Sequence, residues 1–458
     1  MTITLQFIGA ARFVTGSKHL LTVNGKNVLL DCGMVQGPRK IANKANQDLG
    51  LRDTRVDAVV LSHAHIDHSG SLPRLVKLGF SGEIHCTPAT KDLMEILLTD
   101  SAHIQAQDAK HLRRRGHAFD PPYDLDDVEK TVKRTRTHGY HEPFDVVPGV
   151  KVQFLDSGHI LGSAFVVIDV DDGQRQQRIV FTGDHGRRGI PILRDPERLP
   201  ECDVLITEAT YGDRLHAKRV DLESSLEQVV NEEERDGGRI LIPAFSVGRT
   251  QNVLMYLGKL LREKRIRPQP IYIDSPMSKK VTQLTARYPE LFDADMQELL
   301  RSGHDPFFFE GVRYVADVEE SKSLNDLRQG IILAASGMCE AGRILHHLKQ
   351  SVTRPEDCVL AVGYMAQGTL GRKLIDGYEH VNILGERYAV RCKVRSISGL
   401  SAHADYGELL SSFRHLAPRA RVFVVHGEED ATLKFADKLL DAGFTKVDVP
   451  VKREKFEV

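Results

Sequence analysis

The chain has 458 residues, more than one ordinary hydrophobic core organises, so its length predicts two domains or one domain with a large insertion. Hydrophobic residues make up 41% and charged residues 27% of the sequence, which excludes a disordered or fibrous protein. The formal net charge is −1, so a polyanionic substrate would have to be attracted by local clusters or metal ions rather than by the overall charge.

The sequence gives no indication of export or membrane insertion. Polar residues occur throughout residues 1–20, and the segment lacks the order of basic, apolar and small residues that marks a secretory signal. No apolar run approaches the roughly 20 residues that span a bilayer, so we expect a cytoplasmic protein without a membrane partner. The cysteines form no CxxC pair, which argues against a disulfide framework or a cysteine zinc site and predicts small buried apolar side chains. They are Cys32, Cys86, Cys202, Cys339, Cys358 and Cys392.

Short strands joined by tight turns are predicted for the N-terminal part of the chain. Strand-like runs occur at residues 2–8, 20–23 and 27–30, and residues 56–61 form a nearly all-apolar run that is typical of a strand covered on both faces. A helix is predicted at 72–78, followed by a polar helical excursion at 91–137. Strands return at residues 150–155, 164–170, 179–182 and 204–207.

After about residue 210 the pattern changes to strand followed by long helix, which is typical of a parallel sheet with crossover helices. The strand runs lie at 239–242, 271–274, 330–334 and 359–362. From about residue 385 short strands resume, and the chain closes with a strand at 421–425 and a helix at 431–440. We therefore predict an α/β domain at 209–385, inserted between the two parts, 1–208 and 386–458, of another domain.

Three imidazoles and a carboxylate lie within six residues, directly after the apolar run at 56–61. They are His63, His65, Asp67 and His68. Zinc prefers imidazole nitrogen and carboxylate oxygen, and catalytic zinc sites leave one position open for water. The pattern therefore indicates a metal site, and the alternative is a polar loop whose histidines cluster by chance.

Five further polar residues each follow an apolar strand run. They are Asp31, His159, Asp184, Glu208 and His426. Each alone is explained equally well as a turn or capping residue. Together they are candidates for the same site, because strands of one sheet bring their ends to a shared edge.

The order of Asp31, the HxHxDH run, His159 and Asp184 resembles the metallo-β-lactamase fold, an αββα sandwich. Glu208, the inserted α/β domain, His403 in SGLSAHAD and His426 in VVHGEE resemble the additional motifs of the β-CASP nucleases. This family includes bacterial and archaeal RNA-processing nucleases and the endonuclease subunit of the mRNA 3′-end cleavage factor. The resemblance spans essentially the full chain and implies an α/β fold in which the αββα sandwich carries a β-CASP insert of mainly parallel sheet. The histidine at position 426 is typical of RNA-acting members.

The resemblance also implies two Zn²⁺ ions per chain, with Asp184 bridging them and Asp31 orienting a ligand histidine through hydrogen bonds. The remaining implied ligands are His63, His65 and His159 for one ion and Asp67, His68 and His426 for the other. A bridging hydroxide would attack the phosphodiester. His403, held by Glu208, would protonate the departing 3′ oxygen and leave 5′-phosphate and 3′-hydroxyl ends. The alternative for His403 is a buried structural histidine.

Two strand-to-helix turns of the predicted insert resemble family turns suited to phosphate binding. They contain Ser336, Gly337 and Met338 in the first turn and Gly368 and Thr369 in the second. Ordinary tight turns are the alternative, and Arg249 is a candidate substrate contact or a partner in a salt bridge. Basic clusters at 113–115, 133–136, 214–219 and 262–267 are either RNA contacts or solvated helix faces.

The sequence therefore predicts a zinc-dependent ribonuclease that acts on single-stranded RNA as an endonuclease, a 5′-exonuclease or both. The alternatives are a DNA-directed nuclease or small-ester hydrolase on the same metal core, and a non-catalytic RNA-binding subunit. The sequence does not distinguish internal from end-directed cutting, and it leaves open which RNA is used and whether the protein forms a homodimer.

Overall fold

A computed structural model describes residues 3–37, 39–51, 54–114, 116, 119–216, 222–363, 365–397 and 401–458. The chain forms two compact units. Unit 1 comprises Met1–Gly189, Arg194–Leu215 and His403–Val458, and unit 2 comprises Ile190–Leu193 and His216–Ala402. Unit 2 is therefore an insertion into unit 1, as the sequence pattern predicts.

The first part of unit 1 alternates short strands with helices. Its elements are β1 (Thr4–Gly9), β2 (Lys18–Val23), β3 (Lys26–Leu30), α1 (Arg39–Gln47), β4 (Ala58–Val60), α2 (Ile66–Ser69), α3 (Leu72–Lys77), β5 (Glu83–Cys86), α4 (Pro88–Arg114), α5 (Leu125–Lys133), β6 (Thr135–Thr137), β7 (Phe144–Val147), β8 (Val150–Asp156), β9 (Ala164–Asp171), β10 (Gln176–Phe181) and β11 (Val204–Glu208).

Unit 2 alternates strands with longer helices. Its elements are α6 (Leu222–Asp236), β12 (Arg239–Pro243), α7 (Arg249–Arg262), β13 (Ile271–Ile273), α8 (Pro276–Thr285), a 3₁₀ turn (Pro289–Leu291), α9 (Ala294–Arg301), β14 (Val312–Tyr314), α10 (Val318–Ser323), a 3₁₀ turn (Leu324–Asp326), β15 (Gly330–Ala334), α11 (Ile344–Ser351), β16 (Cys358–Ala361), α12 (Leu370–Ile375), β17 (His380–Ile383), β18 (Glu386–Ala389) and β19 (Lys393–Ser396).

The last part of the chain returns to unit 1. Its elements are α13 (Tyr406–Phe413), a 3₁₀ turn (Arg414–Leu416), β20 (Arg421–Val425), α14 (Glu429–Asp441), β21 (Lys446–Asp448) and β22 (Lys455–Glu457).

Two seven-stranded sheets form the centre of unit 1, in the orders β22-β1-β2-β3-β4-β5-β6 and β21-β20-β11-β10-β9-β8-β7. Side chains from both sheets share one buried cluster, in which Phe7 and Val28 of the first sheet lie with Phe154 and Phe181 of the second. Helices α13 and α14 pack their apolar faces on the second sheet, and α3, α4 and α5 pack together beside the first. This arrangement confirms the predicted αββα sandwich.

The main sheet of unit 2 has the order β14-β13-β15-β12-β16-β19, and all its strand pairs are parallel. The predicted α/β insert of mainly parallel sheet is therefore confirmed. The predicted boundary at 385/386 differs from the division between the compact units, because β19 pairs with β16 and keeps the chain in unit 2 up to Ala402. The first predicted boundary, 208/209, lies a few residues before Leu215, where this stretch of unit 1 ends.

The structure also bears on two predictions made from composition. All six cysteines are buried and none forms a disulfide, as expected for small apolar side chains. None of the described helices combines the length and the hydropathy that crossing a membrane requires.

A buried ion pair joins two neighbouring strands of unit 2. The Arg239 Nε donates to Asp357 at 3.0 Å, and the backbone N–H of Arg239 donates to the same carboxylate at 3.0 Å. Both side chains are almost fully buried, at 1% and 0% exposure. Arg239 begins β12 and Asp357 precedes β16, so the ion pair holds the starts of the two strands together.

We predict that Asp357→Ala lowers the free energy of unfolding by about 3–5 kcal/mol, because it leaves a buried guanidinium without its carboxylate. Asp430→Ala is the matched control, since it breaks the exposed i,i+4 pair with Lys434 and should cost at most about 0.5 kcal/mol. Urea unfolding of the full chain measures both. A loss below about 1 kcal/mol for Asp357→Ala would contradict this stabilising role of the ion pair.

Candidate metal centre

The predicted ligands lie where strands of unit 1 end. His63 comes shortly after β4, and His65 precedes the short helix α2, which carries Asp67 and His68. The loops after β8, β10 and β20 carry the remaining three ligands, His159, Asp184 and His426. Both sheets therefore contribute side chains to one place, which is how residues more than 350 positions apart in sequence meet.

One group of ligand atoms comprises His63, His65, His159 and Asp184, whose atoms all lie within 4.8 Å of one another. His65 Nδ1 lies 3.2 Å from His63 Nε2 and 3.3 Å from His159 Nε2. Asp184 Oδ2 lies 3.3 Å from both of these Nε2 atoms. Three nitrogens and one oxygen thus surround a single point.

A second group comprises Asp67, His68 and His426. His68 Nε2 and His426 Nε2 are 3.1 Å apart, and Asp67 Oδ2 lies 3.5 Å from His426 Nε2. The other oxygen of Asp184, Oδ1, lies 3.2 Å from His68 Nε2. Asp184 therefore turns one carboxylate oxygen to each group.

These distances fit zinc. Two ligand atoms about 2.0–2.1 Å from one tetrahedral zinc ion are about 3.3–3.4 Å apart, close to the 3.2 and 3.3 Å separations within the first group. Asp184 Oδ1 is buried and accepts no well-oriented hydrogen bond from the described residues, although His68 Nε2 lies 3.2 Å away. A buried carboxylate oxygen in this position is stabilised by a bound cation. Imidazole nitrogens and carboxylate oxygens are the ligand types that zinc prefers.

Burial keeps the imidazoles of the first group neutral, the form that binds metal. It lowers the pKa of His63, lowers that of His65 to about 3 and lowers that of His159 well below its ordinary value. Burial also acts against His68, but the nearby carboxylates of Asp184 and Asp31 outweigh it and raise the pKa of His68. This proton would have to leave His68 Nε2 when a metal ion binds there.

Asp31 lies directly behind the ligands and is fully buried. Its Oδ2 accepts from His68 Nδ1 at 2.7 Å and from the hydroxyls of Ser62 and Ser17 at 3.0 and 3.2 Å. The backbone N–H of Ser62 donates to Oδ1 at 2.8 Å. Because Asp31 accepts from Nδ1, the Nε2 atom of His68 is the nitrogen that points to the metal position.

Hydroxyl groups fix two further imidazoles in the same way. The Ser62 hydroxyl donates to Asp31 and lies 3.0 Å from His63 Nδ1, and the Thr210 hydroxyl lies 3.2 Å from His426 Nδ1. Each hydroxyl can accept the Nδ1 proton and leave Nε2 for the metal. Sequence reasoning missed Ser17, Ser62 and Thr210, although Ser62 and Thr210 each lie within two residues of a recognised motif residue.

Glu208 and His403 form a pair beside this centre. His403 Nδ1 lies 3.1 and 3.2 Å from the two Glu208 oxygens and 3.8 Å from Asp184 Oδ2. Burial opposes protonation of His403, but the Glu208 and Asp184 carboxylates outweigh it and raise the pKa of His403 to about 9. Glu208 is itself held by the N–H of His185 at 2.6 Å. The arrangement places a protonated imidazole next to the metal ligands.

Comparison with known proteins agrees with this geometry. Family models match residues 16–243 (metallo-beta-lactamase superfamily), 250–374 (Beta-Casp domain) and 387–450 (Zn-dependent metallo-hydrolase RNA specificity domain). A ribonuclease of Thermus thermophilus is 38% identical over 93% of each chain. The chain belongs to the β-CASP family of metallo-β-lactamase-fold hydrolases. The family membership that the sequence motifs predict is thus confirmed.

Other relatives of this β-CASP protein include the transcription termination factor FttA of Methanosarcina mazei, which is 32% identical over 94% of this chain and 68% of its own length. The FttA of Methanothermobacter thermautotrophicus is 31% identical over 99% of this chain and 71% of its own length. A crystal structure of a protein of unknown function from Enterococcus faecalis V583 covers all of both chains with a TM-score of 0.57 and 14% identity, which shows the fold alone.

The two predicted phosphate-binding turns of the β-CASP unit are largely engaged in their own hydrogen bonds. The Ser336 hydroxyl accepts from the N–H groups of Glu340 and Ala341 at 3.1 and 3.3 Å. Thr369 caps α12, and the Glu340 carboxylate accepts the N–H of Leu370 at 2.7 Å. An acidic side chain therefore occupies this helix start, which supports the tight-turn interpretation of Gly368 and Thr369.

The turn at residues 336–338 has backbone N–H groups that are not engaged by other described residues, unlike the helix start of the second turn. Gly337 is buried beneath the exposed ring of Phe245, and a Cβ at Gly337 would lie 2.7 Å from a ring carbon. Among the described residues, the N–H groups of Gly337 and Met338 donate no hydrogen bond. Arg249 begins α7 and lies half-buried beside Gly363. Substrate contact by this turn and by Arg249 stays a prediction.

The predicted basic clusters contain many ion pairs. Arg113 pairs with Asp120 at 2.8 Å, Arg136 with Glu83 at 2.8 Å and Arg214 with Asp213 at 3.6 Å, and Arg265 contacts Glu223, Glu227 and Glu263. These partners support the interpretation as solvated faces. Residues 115 and 217–219 of two clusters lie outside the described residues.

We predict that Asp31→Asn weakens zinc affinity about 10- to 100-fold and that Ser62→Ala weakens it less, because both remove the partners that orient His63 and His68. Ser71→Ala is the matched control, since it removes an equally buried hydroxyl that donates to the Gly33 carbonyl instead. Competition with a fluorescent chelator measures the affinity. Equal affinities for Ser62→Ala and Ser71→Ala would contradict the role of Ser62.

Proposed function

We propose that the protein is a zinc-dependent ribonuclease that hydrolyses phosphodiester bonds of single-stranded RNA and leaves 5′-phosphate and 3′-hydroxyl ends. The observation that carries this proposal is the pair of ligand groups joined by Asp184, with the His403–Glu208 pair beside them. A ribonuclease among the relatives and the match to an RNA specificity domain support RNA as the substrate.

In this proposal His63, His65 and His159 would hold one zinc ion, Asp67, His68 and His426 would hold the other, and Asp184 would bridge them. Two zinc ions bound there would lower the pKa of a shared water and offset negative charge on the phosphodiester. The side chains of the protein would supply the fixed geometry. Asp31 would keep His68 in the tautomer that binds metal through Nε2.

His403 would act as the general acid. Its Nδ1 faces Glu208, so the proton would be delivered from Nε2 to the departing 3′ oxygen. Glu208 would hold the ring and favour its charged form, and the N–H groups of His185 and Thr210 would in turn hold the Glu208 carboxylate. An imidazolium near neutral pH is suited to protonating an alkoxide as it leaves.

The alternatives from the sequence are less well supported. A small-ester hydrolase on the same metal core would not require an RNA specificity domain, which matches residues 387–450. A non-catalytic RNA-binding subunit is disfavoured because every metal-ligand position holds a ligand residue within 4.8 Å of the others in its group. DNA as substrate is an outcome that the first experiment below distinguishes.

We predict that Asp67→Ala lowers cleavage of RNA at least about 100-fold, because it removes a carboxylate ligand from one metal position. Zinc content and cleavage of a 5′-labelled single-stranded RNA and its matched DNA are measured together. Asp126→Ala, which removes an exposed carboxylate on α5, is the control and should behave as wild type. About two zincs per wild-type chain with RNA cut in preference to DNA is the expected result. Bound zinc with neither strand cut would contradict the proposal.

The proposed general acid gives a pH dependence with a defined sign. His403 works in its protonated form, so kcat should fall as pH rises through its pKa, which lies at about 9. In Glu208→Gln the loss of the carboxylate lowers the pKa of His403, so the fall in kcat should begin at lower pH. The measurement is kcat at saturating RNA across pH 6 to 10 for the zinc-loaded proteins. An identical high-pH limb in both proteins would contradict the assignment.

A further inference from the structure

Three arginines from two distant parts of the sequence line one cavity of about 520 Å³ in unit 1. Arg188 and Arg198 lie in the segment between β10 and β11, and Arg414 follows α13. His415 and the hydroxyl groups of Ser411 and Ser412 also line it. The cavity is thus rich in hydrogen-bond donors and in positive charge.

Two of these arginines have no carboxylate partner in the part of the chain that the structure describes. Among the described residues, neither Arg198 nor Arg414 forms an ion pair, and both are exposed. Arg188 lies 3.8 Å from the Asp195 carboxylate and donates to the Pro196 carbonyl at 3.3 Å, so the positive charge without a counter-charge is that of Arg198 and Arg414. Guanidinium groups that face one space without counter-charges repel one another, so the free energy of this arrangement falls when an anion binds.

Glu197, the carboxylate among the described residues of the cavity wall, already contacts two other groups. Glu197 accepts the backbone N–H of Asp156 at 2.8 Å, and its other oxygen lies 3.3 Å from His141 Nε2. His415 Nε2 lies 2.9 Å from the Leu199 carbonyl, to which it donates, because a carbonyl oxygen only accepts. The net charge that faces the cavity is therefore positive.

The cavity is connected to the metal centre by short segments of chain. Arg188 follows Asp184 by four residues, so their Cα atoms lie within about 14 Å of each other. The backbone between Asp184 and Arg188 pairs with the backbone at His403. Gly186 forms an antiparallel bridge with His403, and the Ala404 N–H donates to the His185 carbonyl at 2.9 Å. The chain then continues from His403 through α13 to Arg414.

We propose that this cavity binds the phosphodiester backbone of an RNA strand whose scissile bond lies at the metal centre. This inference rests on the proposed function and extends it with a second anchoring site. Planar guanidinium forks match phosphate oxygens and bind them through two parallel hydrogen bonds. Several separate arginines suit successive phosphates of one strand better than a single small anion.

The lining also indicates what the cavity does not recognise. Among the described residues that line it there is no phenylalanine or tyrosine, and the donors available to a ligand are guanidinium and hydroxyl groups. Contacts of this kind position a nucleic acid without reading its sequence, because sequence is read by contacts to base edges. The cavity would therefore increase the affinity for longer strands of any sequence.

The test compares the double variant Arg198→Gln/Arg414→Gln with Lys446→Gln/Lys455→Gln, which removes the same number of positive charges from exposed positions on β21 and β22. For a 20-nucleotide RNA, the arginine variant should raise KM about tenfold with kcat unchanged, while the lysine control stays near wild type. For a dinucleotide, which is too short to extend from the metal centre to the cavity, both variants should match wild type.

Binding is measured independently of cleavage, by fluorescence anisotropy of the 20-nucleotide RNA with the full chain carrying Asp67→Ala. The arginine variant should reduce the slope of log affinity against log salt by about 1.4, the value for two lost phosphate contacts with a single strand. Equal affinity and slope in the two double variants would overturn the site. If wild type cuts no RNA, the proposed function fails, and the binding comparison still decides whether the cavity holds a strand.

Discussion

The structure of unit 1 depends on one electrostatic constraint: the buried carboxylate of Asp184 has to lie within 3.3 Å of imidazoles from two groups at once. Its carboxylate lies between them with one oxygen 3.3 Å from His63 and the other 3.2 Å from His68. Loops from both sheets must therefore approach closely, and glycine permits that approach. A Cβ at Gly33 would lie 1.6 Å from the Asp67 carbonyl oxygen, and one at Gly186 would lie 2.2 Å from the backbone of Gly158. The backbones of these loops pack too tightly for any larger residue.

The same constraint explains why the polar groups behind the ligands are so fully used. An imidazole that binds metal through Nε2 has to place its Nδ1 proton on an acceptor, and in a buried site water cannot supply one. Asp31 accepts from His68, and the hydroxyls of Ser62 and Thr210 lie within hydrogen-bond distance of His63 and His426. Asp31 contacts both His68 and Ser62, and Ser62 contacts His63, so the charge and position of Asp31 affect both metal positions. Rigid ligand geometry is thus a property of the layer behind the ligands as much as of the ligands themselves.

The strand-and-helix pattern was sufficient to predict the insert and a shared edge for the polar residues that follow the strands. The sandwich and the set of metal ligands came from the resemblance of the motifs to a known family. The sequence did not predict that Ser62 and Thr210 contact the ligand histidines, because a single serine or threonine after a strand is equally typical of an ordinary turn. The predicted boundary at 385/386 differs from the end of unit 2, because β19 is short and half-exposed, and only its pairing with β16 assigns it to unit 2. Glu340 at the start of α12 could not be foreseen, because that contact joins residues 30 positions apart through the fold.

Positive charge shows the same difference between pattern and structure. Runs of lysine and arginine are visible in the sequence, yet Arg113, Arg136 and Arg265 have carboxylate neighbours, which weakens their attraction for a polyanion. Arg198 and Arg414 form no run, because more than 200 residues separate them, and they face a common cavity in the folded unit. A protein with a net charge of −1 can thus attract a polyanion if its unpaired cations converge near the reacting centre. The number of cations in a stretch of sequence matters less than whether the fold supplies each one with a carboxylate.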